Sequence, residues 1–256
     1  MVIPERTRDF VNSLARGISV LRAFDADHCE MTLSEVAERT GMTRAGARRF
    51  LLTLNELGYV SKHERLFRLT PKVLDLGYAY MASTPISELS QPYLNRVTEQ
   101  TGESCSLAVL DGREVVYICR SAAKRLLMYG IHIGTRLPWY CTSMGRMLVA
   151  DMEKEVLQQY INEEKLIKRT KFTQMDKSAL FNEILLANKQ GYTILDQELE
   201  EGLRSIAVPI TGSNGRIVAA VNISTNVATV PKEKLLKEFL PILKAAAKNI
   251  QDSLRT

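Results

Sequence analysis

The sequence predicts an α+β protein in two parts: a helix-turn-helix with a hairpin wing, then an antiparallel sheet with helices. Three observations carry this. Two short amphipathic stretches meet at Gly41 and are followed by a pair of short strands. Two strand pairs in the second part are joined by tight-turn sequences, Asp111-Gly112 and Ser213-Asn214-Gly215. Helical patterns fall between and after those hairpins, the arrangement of helices laid on an antiparallel sheet.

Taken in order, Val11, Leu14, Ile18 and Leu21 recur at three- and four-residue steps and give a first helix its apolar face. Residues 25–30, DADHCE, read as a loop. Leu33 to Met42 is a short helix stopped near Gly41. Thr43 caps the next, which runs to about Asn55 with Ala47, Phe50, Leu51 and Leu54 inward. Gly58-Tyr59-Val60 opens a strand and Phe67-Arg68-Leu69 returns, with polar 62–65 between them as the tip of a wing. Pro71 suits the first turn of a linker helix, and Ala82-Ser83-Thr84-Pro85 breaks it. The expected parts are residues 1–70, a linker at 71–84 and a second domain at 85–256. In that domain a helix is expected over 86–100. Hairpins follow at 105–119 and 206–224, with a strand at 192–195 and helices at 142–150, 153–162, 176–190 and 231–253.

A chain of 256 residues with 45% hydrophobic and 25% charged content is ordinary globular protein, which excludes a disordered chain, a collagen and a disulfide scaffold. No apolar run approaches the roughly 18 residues of a membrane helix, and Met1 to Phe10 lacks a signal core, so no membrane partner and a cytoplasmic location are expected. The net charge is +5, yet residues 1–83 carry 12 Lys+Arg against 10 Asp+Glu. A nucleic-acid reading therefore rests on where the charges sit. Cys29, Cys105, Cys119 and Cys141 form no CxxC pair and stand at no zinc spacing to a histidine, so no metal and no cofactor are expected. GxSxG, HExxH, P-loop and dinucleotide motifs are missing, and His28, His63 and His132 are scattered. No catalytic residue is assigned.

On the helix after Gly41, Ala45, Arg49, Leu52 and Thr53 fall opposite the apolar face, with Arg48 on the flank and Arg44 in the first turn. Small residues and arginines at a capped N-terminus suit a major groove. Arginine grips guanine or phosphate, and the backbone N–H groups face phosphate. Thr43, Arg44, Ala45, Arg48 and Arg49 are the candidate DNA contacts, with Arg65 on the wing. The alternative is a solvated face on a protein-interaction module.

In the second domain, alternation along 217–224 places Asn222 and Ser224 on one sheet face, and Ser205 alternates with Ile206 in the partner strand. Such a face is either a pocket floor or simply solvated. Residues 137–146, LPWYCTSMGR, hold the only Trp and end in the capping pair Thr142-Ser143, whose helix N-terminus would receive a carboxylate, with Arg136 and Arg204 adding charge. Trp139 packs as core or lid, or stacks on a ligand. Asp196, after the 192–195 strand, stands at a pocket rim or caps a turn.

These residues resemble the IclR family of bacterial transcriptional regulators over the whole chain. The carriers are SLARGISVL at 13–21, LSEVAERTGM at 33–42, GYV at 58–60 with FRLT at 67–70, and GLRSIA at 202–207. RAGARRFLLT at 44–53, LPWYCTSMGR at 137–146 and LDQEL at 195–199 are similar to the Pca/Pob branch, regulators of aromatic-acid catabolism through the β-ketoadipate pathway. The resemblance implies a winged helix, a linker helix and a GAF-like effector domain. It also implies a homodimer or homotetramer on a double-stranded DNA operator, and a small carboxylate effector. By position it puts effector contacts on Ser143, Met144, Asp196, Ser205, Asn222 and Ser224, and Thr142 joins them as the candidate cap at the same helix N-terminus. Trp139 stands where the branch usually has a small residue, which predicts a narrowed pocket. The expected function is a ligand-responsive regulator and not an enzyme. The alternatives are a GAF-like redox enzyme using the cysteines, and an interaction module without a ligand.

Overall fold

The computed structural model describes residues 9–123 and 130–254, so residues 1–8 of the charged N-terminal stretch lie outside the described residues. Contacts divide the chain into two units, Met1–Ser83 and Thr84–Thr256.

The first unit holds α1 (Asn12–Leu21), β1 (Glu30–Thr32), α2 (Leu33–Thr40), α3 (Arg44–Glu56), β2 (Val60–His63) and β3 (Leu66–Leu69). Local chemistry sets its corners. Thr32 and Glu35 form a reciprocal capping box at the start of α2. Gly41 ends that helix at φ 65°, a left-handed conformation that glycine adopts without strain. Thr43 Oγ1 then accepts the N–H of Gly46 at 3.1 Å and starts α3. Val20, Met31, Val36, Ala47, Leu51 and Phe67 are buried together.

Two expectations change here. The loop read at 25–30 ends in a strand, because β1 pairs with β3 and sets Met31 opposite Phe67, giving a three-stranded wing ordered β1-β3-β2. Most of the apolar face read on α1 is not core: Val11, Leu14 and Ile18 are exposed, Leu21 packs partly buried against the core, and Val20 is the residue α1 buries. Periodicity marks an apolar stripe but not what covers it. The linker begins as a 3-10 turn, Pro71–Val73, and continues as α4 (Leu74–Ser83), with Leu74, Leu76, Tyr78 and Tyr80 exposed.

The second unit opens with α5 (Ile86–Thr101) and builds one antiparallel sheet. Its strands are β4 (Ser104–Asp111), β5 (Glu114–Ser121), β6 (Arg136–Pro138), β7 (Thr193–Asp196), β8 (Leu203–Thr211) and β9 (Ile217–Asn226), in the order β6-β5-β4-β9-β8-β7. One face carries Leu107, Ile206, Val208, Val221 and Ile223 and is covered by α5 and α10 (Leu240–Ser253). A helical turn α9 (Lys232–Lys234) and a π-helical turn over Leu235–Phe239 interrupt the single helix expected at 231–253. Pro241, which has no N–H for the carbonyl four residues back, follows that turn. The other face offers Ala108, Ala207 and Ala220. These small residues admit α6 (Ser143–Leu148), behind which lie α7 (Lys154–Asn162) and α8 (Lys177–Gln190).

The β4–β5 pairing contains a β-bulge. Leu107 pairs with Cys119 and Ala108 with Tyr117, leaving Ile118 as the extra residue. Ile118 and Cys119 both turn toward the α5–α10 core. Tyr117 and Arg120 therefore share the opposite face, although three residues apart.

Candidate functional site

On α3, Thr43, Arg44, Ala45, Arg48, Arg49, Leu52 and Thr53 are exposed while Ala47, Leu51 and Leu54 are buried. The Thr43 hydroxyl is used as the cap. Arg65 sits exposed in the turn of the wing, after Glu64 at φ 53°. Among the described residues, Arg44, Arg48, Arg49 and Arg65 are in no ion pair, in contrast to Arg39 with Asp25 (2.6 Å) and Arg68 with Glu30 (3.7 Å) on the same unit. Four unneutralised guanidinium groups on a helix and a wing can meet phosphates and base edges.

The second site is a cavity on the α6 side of the sheet. Thr142, Ser143, Ser205, Asn222 and Ser224 all stand in its wall, joined by Tyr117, Leu195, Glu198 and Leu199. Strand register brings the polar ones together: Ser205 is opposite Ser224, and Ser224 opposite Ser104. The next row holds Asn222 opposite Ser106, and Ser106 opposite Arg120. Asn222 gives an amide proton to Ser224 Oγ at 3.2 Å. Its carbonyl oxygen Oδ1 and the Ser143 hydroxyl are buried with no partner among the described residues.

The inner end leaves about 20 Å³, room for roughly one water. A chamber of about 280 Å³ adjoins it, sharing Ile131, Leu199, Leu203 and Ser224 as walls and adding Arg120, Arg169 and Glu200. That is near the lower end of the roughly 300–1,000 Å³ usual for small-molecule sites.

The 137–146 corner positions Ser143. Trp139 is fully buried, donates Nε1–H to Glu164 at 2.6 Å and packs on Tyr160, with ring centroids 5.1 Å apart. It is core and lines neither part of the cavity, so it does not narrow the pocket by standing in it. Gly145 lets α6 approach this corner, since a Cβ there would stand 2.5 Å from Trp139 Cα and 2.6 Å from Thr142 Oγ1. Thr142 is a cap more than a ligand group: Oγ1 donates to Pro138 O (3.1 Å) and accepts from Gly145 N (3.2 Å). Arg146, nearly fully buried, donates to Tyr140 O (2.7 Å), Glu183 (2.5 Å) and Glu198 (2.5 Å). Burial raises the Glu198 pKa above its ordinary value even though Arg146 opposes the shift.

Three sequence readings are corrected by register and packing. Asp196 is the last residue of β7, opposite Arg204, and takes two hydrogen bonds from it at 3.0 and 2.7 Å. Leu195 and Ser205 face the cavity, so Asp196 and Arg204 turn to the other side of the sheet. Arg136 on the edge strand is taken by Asp111 (2.5 Å) and Glu114 (2.7 Å) and lines no part of the cavity. Met144 is packed into the α6–α8 core instead of the cavity wall. Ser104, Ser106, Arg120 and Glu198 escaped the sequence reading. Extended alternation from Ser224 across the sheet would have found the serines.

Cys105, Cys119 and Cys141, the buried cysteines of the second unit, give the redox alternative no footing. Burial pushes the thiol of Cys119 up to about 11, that of Cys141 up to about 12, and that of Cys105 further still, so none is a thiolate at neutral pH.

Comparison with known proteins places both units in one family. Residues 13–64 match the IclR helix-turn-helix domain and residues 78–252 match the bacterial transcriptional regulator IclR C-terminal domain. The Pca regulon regulatory protein of Pseudomonas putida is 45% identical over 94% of this chain and 84% of its own length. The p-hydroxybenzoate hydroxylase transcriptional activator of Acinetobacter baylyi is 34% identical over 96% of this chain and 93% of its own. An IclR homolog from Microbacterium hydrocarbonoxydans, solved in complex with 4-hydroxybenzoate, superposes with a TM-score of 0.84 at 25% identity over 95% of this chain and 99% of that one. An arginine-bearing helix-turn-helix, a sheet-face cavity with unpaired polar groups and matches spanning nearly the whole chain agree: the chain belongs to the IclR family of bacterial transcriptional regulators.

Proposed function

We propose that this regulator responds to a small carboxylate of aromatic-acid catabolism, bound in the cavity between α6 and the sheet. The class covers an aromatic acid such as protocatechuate or 4-hydroxybenzoate and a dicarboxylate such as β-ketoadipate. The observation that carries this reading is the pair of buried, unpartnered atoms, Ser143 Oγ and Asn222 Oδ1, in one cavity wall. Leaving such a group unpaired costs about 1–3 kcal/mol, which a ligand that pairs it recovers. The names of the Pseudomonas and Acinetobacter relatives and the 4-hydroxybenzoate complex support the chemical class. Thr43, Arg44, Ala45, Arg48, Arg49 and Arg65 form the operator-binding surface, and Ser143, Ser205, Asn222 and Ser224 the effector contacts.

The regulator acts as an assembly of identical chains in the cytoplasm, where its operator is. The exposed apolar side chains of α1 and α4 support at least a dimer. The divisions follow the sequence reading: residues 1–70 bind DNA, 71–84 link, and 85–256 sense the ligand. An effector switches DNA affinity only if it binds one arrangement of the assembly better than another.

The test is a thermal-shift screen of the purified protein against aromatic acids, β-ketoadipate and glyoxylate-type acids. A ligand at 100 times its dissociation constant stabilises by about 2.7 kcal/mol, a rise of about 5–10 °C for a chain of this size. The expected result is such a rise with one acid, together with a change in operator affinity. No rise with any acid would overturn the effector class and leave the DNA-binding assignment standing.

A further inference from the structure

We infer that Arg120 is the anion-recognition group of the effector cavity, so that the effector lies with its carboxylate in the outer chamber and its far polar end toward Ser143 and Asn222. This rests on the effector reading above and fixes the polarity of the bound molecule.

The carboxylate was expected at the start of α6, and the structure is unfavourable there. That helix has only six residues, its Gly145 N–H is spent on Thr142 Oγ1 and its Arg146 N–H on Thr142 O. Glu198 stands in the wall of the same inner end, and Arg146, the cation beside it, is already shared between Glu198 and Glu183. With its donors taken by these two carboxylates and by Tyr140 O, Arg146 offers no free fork to an incoming carboxylate.

The outer chamber has the opposite balance. Arg120 and Arg169 line it against one acid, Glu200. Neither arginine is in an ion pair among the described residues, whereas Arg113, Arg136, Arg146 and Arg204 of the same unit all are. Arg120 is half-buried and, among the described residues, its side chain is held by neutral acceptors alone, Ser106 Oγ at 3.1 Å and Ser104 Oγ at 3.5 Å. A guanidinium presents five N–H donors in a planar fork, so donors remain for a second partner. Burial lowers its pKa from the usual value, the mark of a cation kept from water without a counter-charge, though it stays charged at neutral pH. The β5 bulge and the sheet register set Arg120, Ser106 and Asn222 in one cross-strand row, with the cation at the chamber end and the unpaired amide oxygen toward the inner pocket.

The experiment titrates 4-hydroxybenzoate, its uncharged amide 4-hydroxybenzamide and β-ketoadipate into the full-length parent, Arg120→Met and Arg120→Lys, by calorimetry. The parent should prefer at least one acid strongly over the amide. Arg120→Met should weaken that acid by at least about tenfold, the lower end for a charge-assisted hydrogen-bonded pair, and change amide binding little. Arg120→Lys, which keeps the charge but not the fork, should fall between. The two acids report whether the far end of the ligand is a hydroxyl or a second carboxylate. Acid binding that persists unchanged in Arg120→Met would overturn the assignment of Arg120 while leaving the effector class intact. Equal loss of acid and amide would also overturn it, by showing a general collapse of the pocket. Failure of the parent to bind these probes or protocatechuate, titrated in the same way, overturns both readings.

Discussion

A hydroxyl buried without a partner is a local cost to the folded chain, and Ser143 Oγ is in that position. Neighbouring Thr142 is not, because its hydroxyl closes the first turn of α6. The contrast gives a prediction with two opposite signs. Ser143→Ala should leave the ligand-free protein as stable as the parent or up to about 1 kcal/mol more stable, since it removes an unpaired polar atom and little volume. The same change should weaken the effector several-fold. Melting curves with and without ligand measure both. A ligand-free melting temperature well below that of the parent would mean that the hydroxyl has a structural partner, and unchanged ligand affinity would remove Ser143 from the contact set.

At the scale of elements, α3 carries its two jobs on two faces. Arg49→Ala lies on the exposed face, opposite buried Ala47, Leu51 and Leu54. It should cost about 1–3 kcal/mol of operator affinity if Arg49 reads a base, with stability and ligand response unchanged. Equal operator binding in a gel-shift titration would remove that face from the interface. Elements fixed by local chemistry were legible in the sequence. The cap at Thr43, the stop at Gly41 and the Asp111-Gly112 turn each rest on neighbouring residues, and the α2–α3 pair and the β4–β5 hairpin followed from them. What depended on partner strands was not. Strict alternation through β5 sets Arg120 on the core side with Ile118, and only the bulge, a property of its pairing with β4, returns it to the cavity. The strand pattern at 192–195 stops one residue short of Asp196, which pairing with Arg204 includes in β7 on the side away from the cavity. Ser205, Asn222 and Ser224 were recoverable because β8 and β9 pair in unbroken register from Leu203 to Ile210, and the one shift comes after Ile210.

At the scale of the whole molecule, α1 and α4 present apolar side chains that none of the described residues covers. Leu14 is 64% exposed and Tyr78 72%, with Val11, Ile18, Leu74 and Leu76 also exposed. Burying each large apolar side chain is worth about 1.5–3 kcal/mol, so a second copy of the same surface gains enough to offset much of the cost of association. A two-fold pair would also match an operator with two half-sites, each α3 reading one. Leu14→Asp with Tyr78→Asp should therefore lower the mass seen in sedimentation from the parent's assembly to a smaller one. Affinity for a two-half-site operator should fall far more than affinity for a single half-site, because the linked second contact is lost. The effector-induced rise in melting temperature should survive, since the cavity lies wholly within Thr84–Thr256. A variant that keeps the parent's mass would place the assembly contact elsewhere. A parent that sediments as a monomer at all concentrations would show that these helices are covered by something other than their own copy.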